Sequence, residues 1–144
     1  MVMTTQHTAD EAGIRQQLDK LVEAIHARDL EGVKALYSPD VVSFDVGPAL
    51  QTLGVEAKSQ NWVEAFTLLQ GPIGYEIRGL TITVDGDLAF GHAFARLSSG
   101  SWTAPWVRAT FCLRKIDGSW LIAHDHVSVP LDVRSGKGLV DPEP

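Results

Sequence analysis

Two carboxylates, a guanidinium and two imidazoles stand in stretches that alternate as strands do, and they bound the chemistry open to this chain. Asp45 closes the apolar run Val41-Val-Ser-Phe44. A carboxylate at the edge of an apolar pocket can take a proton from a carbon next to a carbonyl. Asp is also a common residue for capping a loop such as the one that starts at Gly47-Pro48, so both roles stay open. Arg108, Thr110 and Asp125 form a second set. An Asp117-Gly118 pair between two extended runs marks a hairpin, because both residues tolerate the positive φ of a type I′ turn. With those two residues as the loop, Ile116 faces Ser119, Asp125 faces Thr110 and Val127 faces Arg108. Arg108, Thr110 and Asp125 then share one sheet face with Cys112, Leu121 and Ala123, while Trp120, Ile122, His124 and His126 lie on the other with Phe111 and Leu113. The guanidinium would supply fixed donors and the carboxylate would accept a proton, enough to orient a polar substrate or a water. A structural ion pair beside the core is the alternative. A three-residue loop, Ile116-Asp117-Gly118 with a bulge, would instead set His126 opposite Arg108.

His124 and His126 are two apart on a strand and point the same way, as metal ligands or an acid/base pair would. No third ligand stands at a fixed spacing, so no metal is assigned and these imidazoles are read as core or interface groups with hydrogen-bond partners. Tyr37, Trp62, Phe66 and Trp106 read as core that can also wall a small-molecule pocket.

The elements that must position these groups follow from the pattern. Thr8 and Glu11 have capping-box spacing ahead of Ile14, Leu18, Leu21, Val22 and Ile25, a helix with one buried face. Asp29 starts a short second helix that Ser38-Pro39-Asp40 breaks. Residues 41–46 read as a strand and 47–54 as a loop. A third helix over 55–69 buries Trp62, Phe66 and Leu69 before Gly71-Pro72 ends it. Strands over 73–84, 88–97, 102–115 and 120–129 then make an antiparallel meander. Helices followed by a meander define the α+β class. The last strand is apolar on both faces, which predicts helices on one side and a second subunit on the other.

With 144 residues, 44% hydrophobic and 21% charged, the chain has the size and composition of one soluble globular domain. A net charge of −6 and scattered basic residues argue against nucleic acid. The apolar runs are too short for a membrane span. The single cysteine, Cys112, excludes an intrachain disulfide and reads as a small buried hydrophobe. The first residues lack the basic and apolar regions of a signal peptide, so a cytoplasmic protein is expected.

Three segments carry a resemblance: Ala24-Ile-His-Ala-Arg-Asp29-Leu-Glu, Tyr37-Ser-Pro-Asp40-Val-Val-Ser-Phe44-Asp45, and Ile116-Asp-Gly-Ser-Trp120-Leu-Ile-Ala-His124-Asp-His126-Val-Ser128-Val-Pro130. With the element order they resemble the nuclear-transport-factor-like superfamily, and within it the SnoaL-like branch. The closing segment is also similar to the association domain of calcium/calmodulin-dependent protein kinase, an assembly module. The resemblance implies three N-terminal helices packed on a strongly bent, mainly antiparallel sheet, a cone-shaped, cystatin-like roll around a pocket. It also implies that Asp45 matches the general base of ketosteroid isomerases. Their two oxyanion donors are matched here by Leu21 and Thr110, which argues against steroid isomerisation. Arg108 and Asp125 resemble the water-activating positions of the epoxide-hydrolase branch, where an aspartate stands at the place of Thr110.

These readings converge on a single SnoaL-like domain over residues 1–131 with a mobile tail, 132–144. The expected function is binding of a small apolar carbonyl or hydroxyl compound and cofactor-independent acid/base chemistry on it, of isomerase, cyclase, dehydratase or hydrolase type. Catalysis would fall to Asp45, Asp125 and Arg108, with Tyr37, Phe44, Trp62, Phe66, Trp106, Thr110 and His126 around the substrate and no metal or cofactor. A homodimer through Trp120, Ile122 and His124 is expected. The alternative function is a non-catalytic oligomerisation or ligand-binding module like the kinase association domain.

Overall fold

The computed structural model describes residues 5–144. Helix α1 (Thr5–His26) buries Ile14, Leu18, Leu21 and Ile25, one stripe of side chains three and four apart. It begins upstream of the expected capping box, so Thr8 lies within the helix, and Glu11 pairs with Arg15 at 3.3 Å. The added turn is tied down at Asp10, which accepts from Gln6 at 3.0 Å and from Lys115 at 3.1 Å.

The end of α1 also organises the end of the third helix. Arg28 adopts φ of +55°, and Asp29 N–H donates back to the Ala24 carbonyl at 2.8 Å, closing the helix with a left-handed residue. A non-glycine residue is strained there. Its guanidinium donates to the carbonyls of Phe66, Leu69 and Gly71 at 2.6, 2.6 and 2.7 Å, capping helix α3 (Val55–Leu68) from outside. Between them, Asp29 caps the short helix α2 (Leu30–Lys34) by accepting from Gly32 N–H at 3.0 Å, as the sequence suggests.

Strand β1 (Tyr37–Phe44) starts earlier than residue 41 and takes in the expected break. It lies parallel to β7 (Ser119–Ser128), with Tyr37 opposite Ile122 and Val42 opposite His124. Five residue steps on β1 therefore match two on β7, and the excess of Ser38-Pro39-Asp40 is taken up as an irregularity. The short β2 (Thr52–Leu53) borders β1. The rest is the meander: β3 (Ile73–Asp85), β4 (Leu88–Ser99), β6 (Val107–Ile116) and β7, all antiparallel. The strand expected from Trp102 is interrupted. Trp102–Thr103 (β5) pairs with β4, then Pro105, which has no N–H for a ladder, separates it from β6.

The order is β2-β1-β7-β6-β4-β3, a mixed, curled, open sheet with helices on its inner face, the expected α+β architecture. Two bulges bend it. On β3 one extra residue falls between Arg78 and Thr81, where Gly79 takes φ of +70°. On β7 the extra residue is Ala123, because Leu113 faces Ile122 while Cys112 faces His124. After β7 the chain folds back as a hairpin of β8 (Leu131–Asp132) and β9 (Lys137–Gly138), which overlaps the segment 132–144 expected as a tail and begins one residue before it.

The Ala123 bulge corrects the predicted faces. The hairpin loop is Asp117-Gly118, with φ of +50° and +82° and Ile116 opposite Ser119, as read from sequence. Beyond the bulge the register moves by one, so Asp125 faces Phe111, His126 faces Thr110 and Ser128 faces Arg108. Asp125 thus turns into the core with Phe111, while Arg108, Thr110, Cys112, His124 and His126 share the outer face. Trp120 and Ile122, expected in a subunit interface, are 4% and 1% exposed in the core under α1. Gln17 there donates to the Trp120 carbonyl at 2.7 Å, and a Cβ on Gly13 would stand 3.5 Å from the indole.

Phe111 holds the inner face of β6 against this core and is 2% exposed. Phe111→Ala is expected to cost about 3–5 kcal/mol in chemical denaturation, with the midpoint moving and the slope unchanged.

Candidate functional site

Lys58 is the most unusual residue of the inner face, an ammonium 4% exposed at the end of the first turn of α3. Its Nζ lies 2.8 Å from Asp45 Oδ1 and 3.3 Å from Asp125 Oδ2, and it donates to Ser43 Oγ at 2.9 Å. The topology brings these groups together. Ser43 of β1 and Asp125 of β7 are register partners across the parallel pair, and α3 crosses β1 above them. The Ser43 hydroxyl donates to Asp125 and also lies 3.3 Å from Asp45 Oδ1. Asn61, one turn along α3, donates to Asp45 Oδ2 at 2.7 Å and lies 3.3 Å from Thr52 Oγ1. Both carboxylates are therefore multiply hydrogen-bonded, which is what makes such burial tolerable. The side chains of Lys58 and Asp125 are each 6% exposed and that of Asp45 25%, so Asp45 is the member a ligand can reach.

This cluster forms the polar end of a cavity of about 380 Å³. Leu97, Val107, Phe111, Val127 and Val140 supply much of its apolar wall. A second hollow of about 500 Å³ adjoins it along α3 and shares Asp45, Lys58, Trp62 and Leu97. A groove of about 570 Å³ between α1, α2 and the start of β7 is larger but has no comparable buried polar cluster.

Three donors flank the carboxylates. The Tyr37 hydroxyl donates to Asp125 Oδ2 at 3.5 Å, at the limit of a hydrogen bond. Burial pushes its phenol well above the usual range. The charge of Asp125, the Tyr75 phenol and Asp45 act the same way, and the Trp62 indole opposes them. Tyr75 is also driven up, by burial first and then by Asp125 and Asp45. Both phenols remain neutral donors. Trp62 packs against Phe66 and Tyr75 with ring centroids 5.9 and 6.3 Å apart.

Of the residues proposed from sequence, Tyr37, Asp45, Trp62 and Asp125 meet at this cavity. Arg108 does not. It is exposed on the outer face, where its Nε donates to Ser128 Oγ and its Nη2 to the Val129 carbonyl, both at 3.2 Å. Thr110 and His126 are on the same outer face. Phe44 turns there too, its ring edge-on to His124 and His126 at 4.7 and 5.4 Å. Phe66 supports Trp62 from outside the cavity lining, and Trp106 is stacked between Arg78 and Arg96 at 4.5 and 4.4 Å. His124 Nδ1–H donates to the Val42 carbonyl at 2.6 Å, a backbone partner of the kind expected. Burial, then the charge of Asp125, pushes the Cys112 thiol up. Among the described residues no group of three or more His, Cys, Asp or Glu side chains could hold a metal ion.

Sequence reasoning missed Lys58, Ser43, Asn61 and Tyr75. Lys58 stands four residues before Trp62 and eight before Phe66, on the face already assigned inward, and a lysine on that stripe was the available signal.

A curled open sheet over three helices, with a polar cluster at one end of an apolar cavity, is the architecture of a cone-shaped α+β roll. The chain belongs to the SnoaL-like domain family, whose model matches residues 14–132. An NTF2-like protein of unknown function from Pseudomonas putida KT2440 is 36% identical, with a TM-score of 0.88 over 95% of this chain and 98% of that one. A proposed dehydratase of the NTF2-like family from Streptomyces avermitilis is 18% identical, with a TM-score of 0.73 over 87% and 99% of the two chains. A proposed calcium/calmodulin-dependent protein kinase type II association domain from Thiobacillus denitrificans is 21% identical, with a TM-score of 0.68 over 81% and 93%. No functionally curated protein matches the sequence. Among the described residues no helix is long and apolar enough to cross a membrane.

Tyr37 and Tyr75 are the only tyrosines of the chain, so alkaline titration reads them directly. Their folded pKa values lie above the unfolded value of 10.0, so the stability they contribute is present below pH 10 and lost as pH rises beyond it. Tyrosinate absorbance is expected to appear only with loss of the native circular dichroism. Above pH 10 stability should fall by about 1.4 kcal/mol per pH unit for each phenol.

Proposed function

We propose that this protein binds a small, largely apolar carbonyl or hydroxyl compound and acts on it by acid/base chemistry that its own side chains supply, with Asp45 as the base. The observation that carries this reading is the Lys58-bridged pair of carboxylates opening, through Asp45, on an apolar cavity. In that position Asp45 takes a proton from a carbon next to the ligand's carbonyl. The C–H electron pair moves onto the carbonyl oxygen, which neutral phenols can stabilise by hydrogen bonding. Returning the proton elsewhere on the ligand gives isomerisation, and passing it to a β-hydroxyl that leaves as water gives dehydration. Lys58 and Asn61 orient Asp45 as positioning residues, and Asp125 holds Lys58 and Tyr37. Arg108 has no part in this reading. The dehydratase assignment of the Streptomyces relative is in keeping with it. A cytoplasmic setting, in which Cys112 stays a thiol, belongs to the same proposal.

A second reading concerns the outer sheet face, where Leu88, Phe90 and Phe94 of β4 are 58%, 48% and 41% exposed. Across the ladders Phe90 faces the uncharged Thr83 and Cys112, while Leu88 faces Asp85 and Arg114 and Phe94 faces Arg78 and Arg108, so charged residues flank the apolar centre at Phe90. We infer that a second copy of the chain covers it, an isologous homodimer centred on β4 and β6 rather than on Trp120 and Ile122.

Proton–deuterium exchange at the α-carbons of ketones such as 2-acetylnaphthalene, followed by NMR in D2O, tests the base without knowledge of the natural substrate. The protein is expected to accelerate exchange, and Asp45→Asn to reduce that acceleration by about 10²–10⁴-fold with the fold retained. Exchange no faster than in buffer across a panel of methyl and cyclic ketones would remove Asp45 as base. For the outer face, sedimentation velocity should give twice the 15.7 kDa chain mass, and Phe90→Glu should give the monomer. A monomeric wild type at micromolar concentration would discard the dimer.

A further inference from the structure

The Trp62 indole N–H is buried without a hydrogen-bond partner. Such a donor loses its hydration on folding without gaining a well-formed hydrogen bond, so at a cavity wall it marks where an acceptor belongs. Its ring is not free to turn away, being packed against Phe66 on one side and edge-on to Tyr75 on the other. It approaches the Tyr37 hydroxyl closely enough to oppose the rise in that phenol's pKa but without the geometry of a hydrogen bond, and the hydroxyl's own donation reaches Asp125 only at 3.5 Å. Both residues line the 380 Å³ cavity. Two under-used donors thus stand together beside the carboxylates, and a carbonyl oxygen has two lone pairs with which to accept from both.

Resting on the proposed reading of this cavity as a ligand site, we infer that Trp62 Nε1 and the Tyr37 hydroxyl form its acceptor-binding pair and select an uncharged carbonyl compound over a carboxylic acid. Discrimination against acids comes from the carboxylates beside these donors. Two carboxylates share one ammonium there, a formal charge of −2 + 1 = −1 when both are ionised, and Lys58 has no further charge to offer an anionic ligand. A hydrocarbon of the same shape would fill the apolar wall and leave the Trp62 N–H unpaired.

Three probes with one ring system separate these contributions: 2-acetylnaphthalene, 2-ethylnaphthalene and 2-naphthoate. Binding is measured by calorimetry and by the indole N–H resonances of 15N-labelled protein, of which the four tryptophans give four, the Trp62 signal being the one absent from Trp62→Phe. The ketone is expected to bind about tenfold more tightly than its ethyl analogue, with naphthoate weakest and the Trp62 proton moving downfield with the ketone alone. Trp62→Phe should bring the ketone to within about threefold of the ethyl compound, whose own affinity stays nearly constant, and Tyr37→Phe should narrow the gap in the same sense. Equal binding of ketone and ethyl compound by the wild type, or a preference unchanged in Trp62→Phe, would overturn the inference while leaving the cavity a ligand site. Failure of all three probes to bind would remove the ligand site itself and this inference with it.

Discussion

The buried ammonium of Lys58 is the interaction to which the rest of the inner face is fitted. Withdrawing a charge from water costs several kcal/mol even after relaxation, and the cost is recovered only if opposite charges and hydrogen bonds surround it closely. Here they come from two neighbouring strands, with Ser43 within β1 and Asp45 just beyond its end, and Asp125 within β7. A small slide of α3 along the sheet would break all of these contacts at once. The cluster therefore fixes the register of a helix over a parallel strand pair with a precision that apolar packing alone does not require.

The same helix is held at its other end by a different device. Arg28, at the close of α1, gathers three carbonyls around the C-terminus of α3. Lys58 near the start and Arg28 beyond the end leave α3 little freedom to tilt. The aromatic side chains on its inner stripe are consequently fixed as well, and the cavity wall they make is preformed rather than dependent on ligand entry. Bulges at Gly79 and Ala123 bend the two strands, β3 and β7, that pack on α1.

Much of this was legible beforehand. The Asp29 cap, the Asp117-Gly118 turn and the order of helices and strands each rest on local chemistry that the sequence displays openly. Asp45, Tyr37 and Trp62, singled out because their residue types suit a pocket, and Asp125, singled out because a carboxylate in a strand demands a partner, all line the cavity. Its supposed partner, Arg108, was wrong for a definite reason. The bulge at Ala123 carries no glycine or proline to announce it, and β7 is apolar on both faces, so no polar stripe betrays the change of register. Lys58 was overlooked because charge is normally taken as the mark of a solvated helix face. Its spacing from Trp62 and Phe66 carried the contrary information.

The extra residue at Ala123 amounts to a change of parity within one strand. Before it, even-numbered positions of β7, Trp120 and Ile122, point into the core; after it, the odd-numbered Asp125 and Val127 do so, and His124 and His126 are turned outward. Counted inward or outward, β7 is two strands spliced out of phase. A relative that kept these residues but ran the ladder regularly through position 123 would present the other set of side chains to its cavity, imidazoles in place of the carboxylate, whereas loss of Ala123 itself would only remove the bulge and leave Asp125 facing inward. Diversity of chemistry on this scaffold thus has a source besides substitution, since whether a strand carries a bulge decides which of its alternate residues line the pocket and which face the opposite surface.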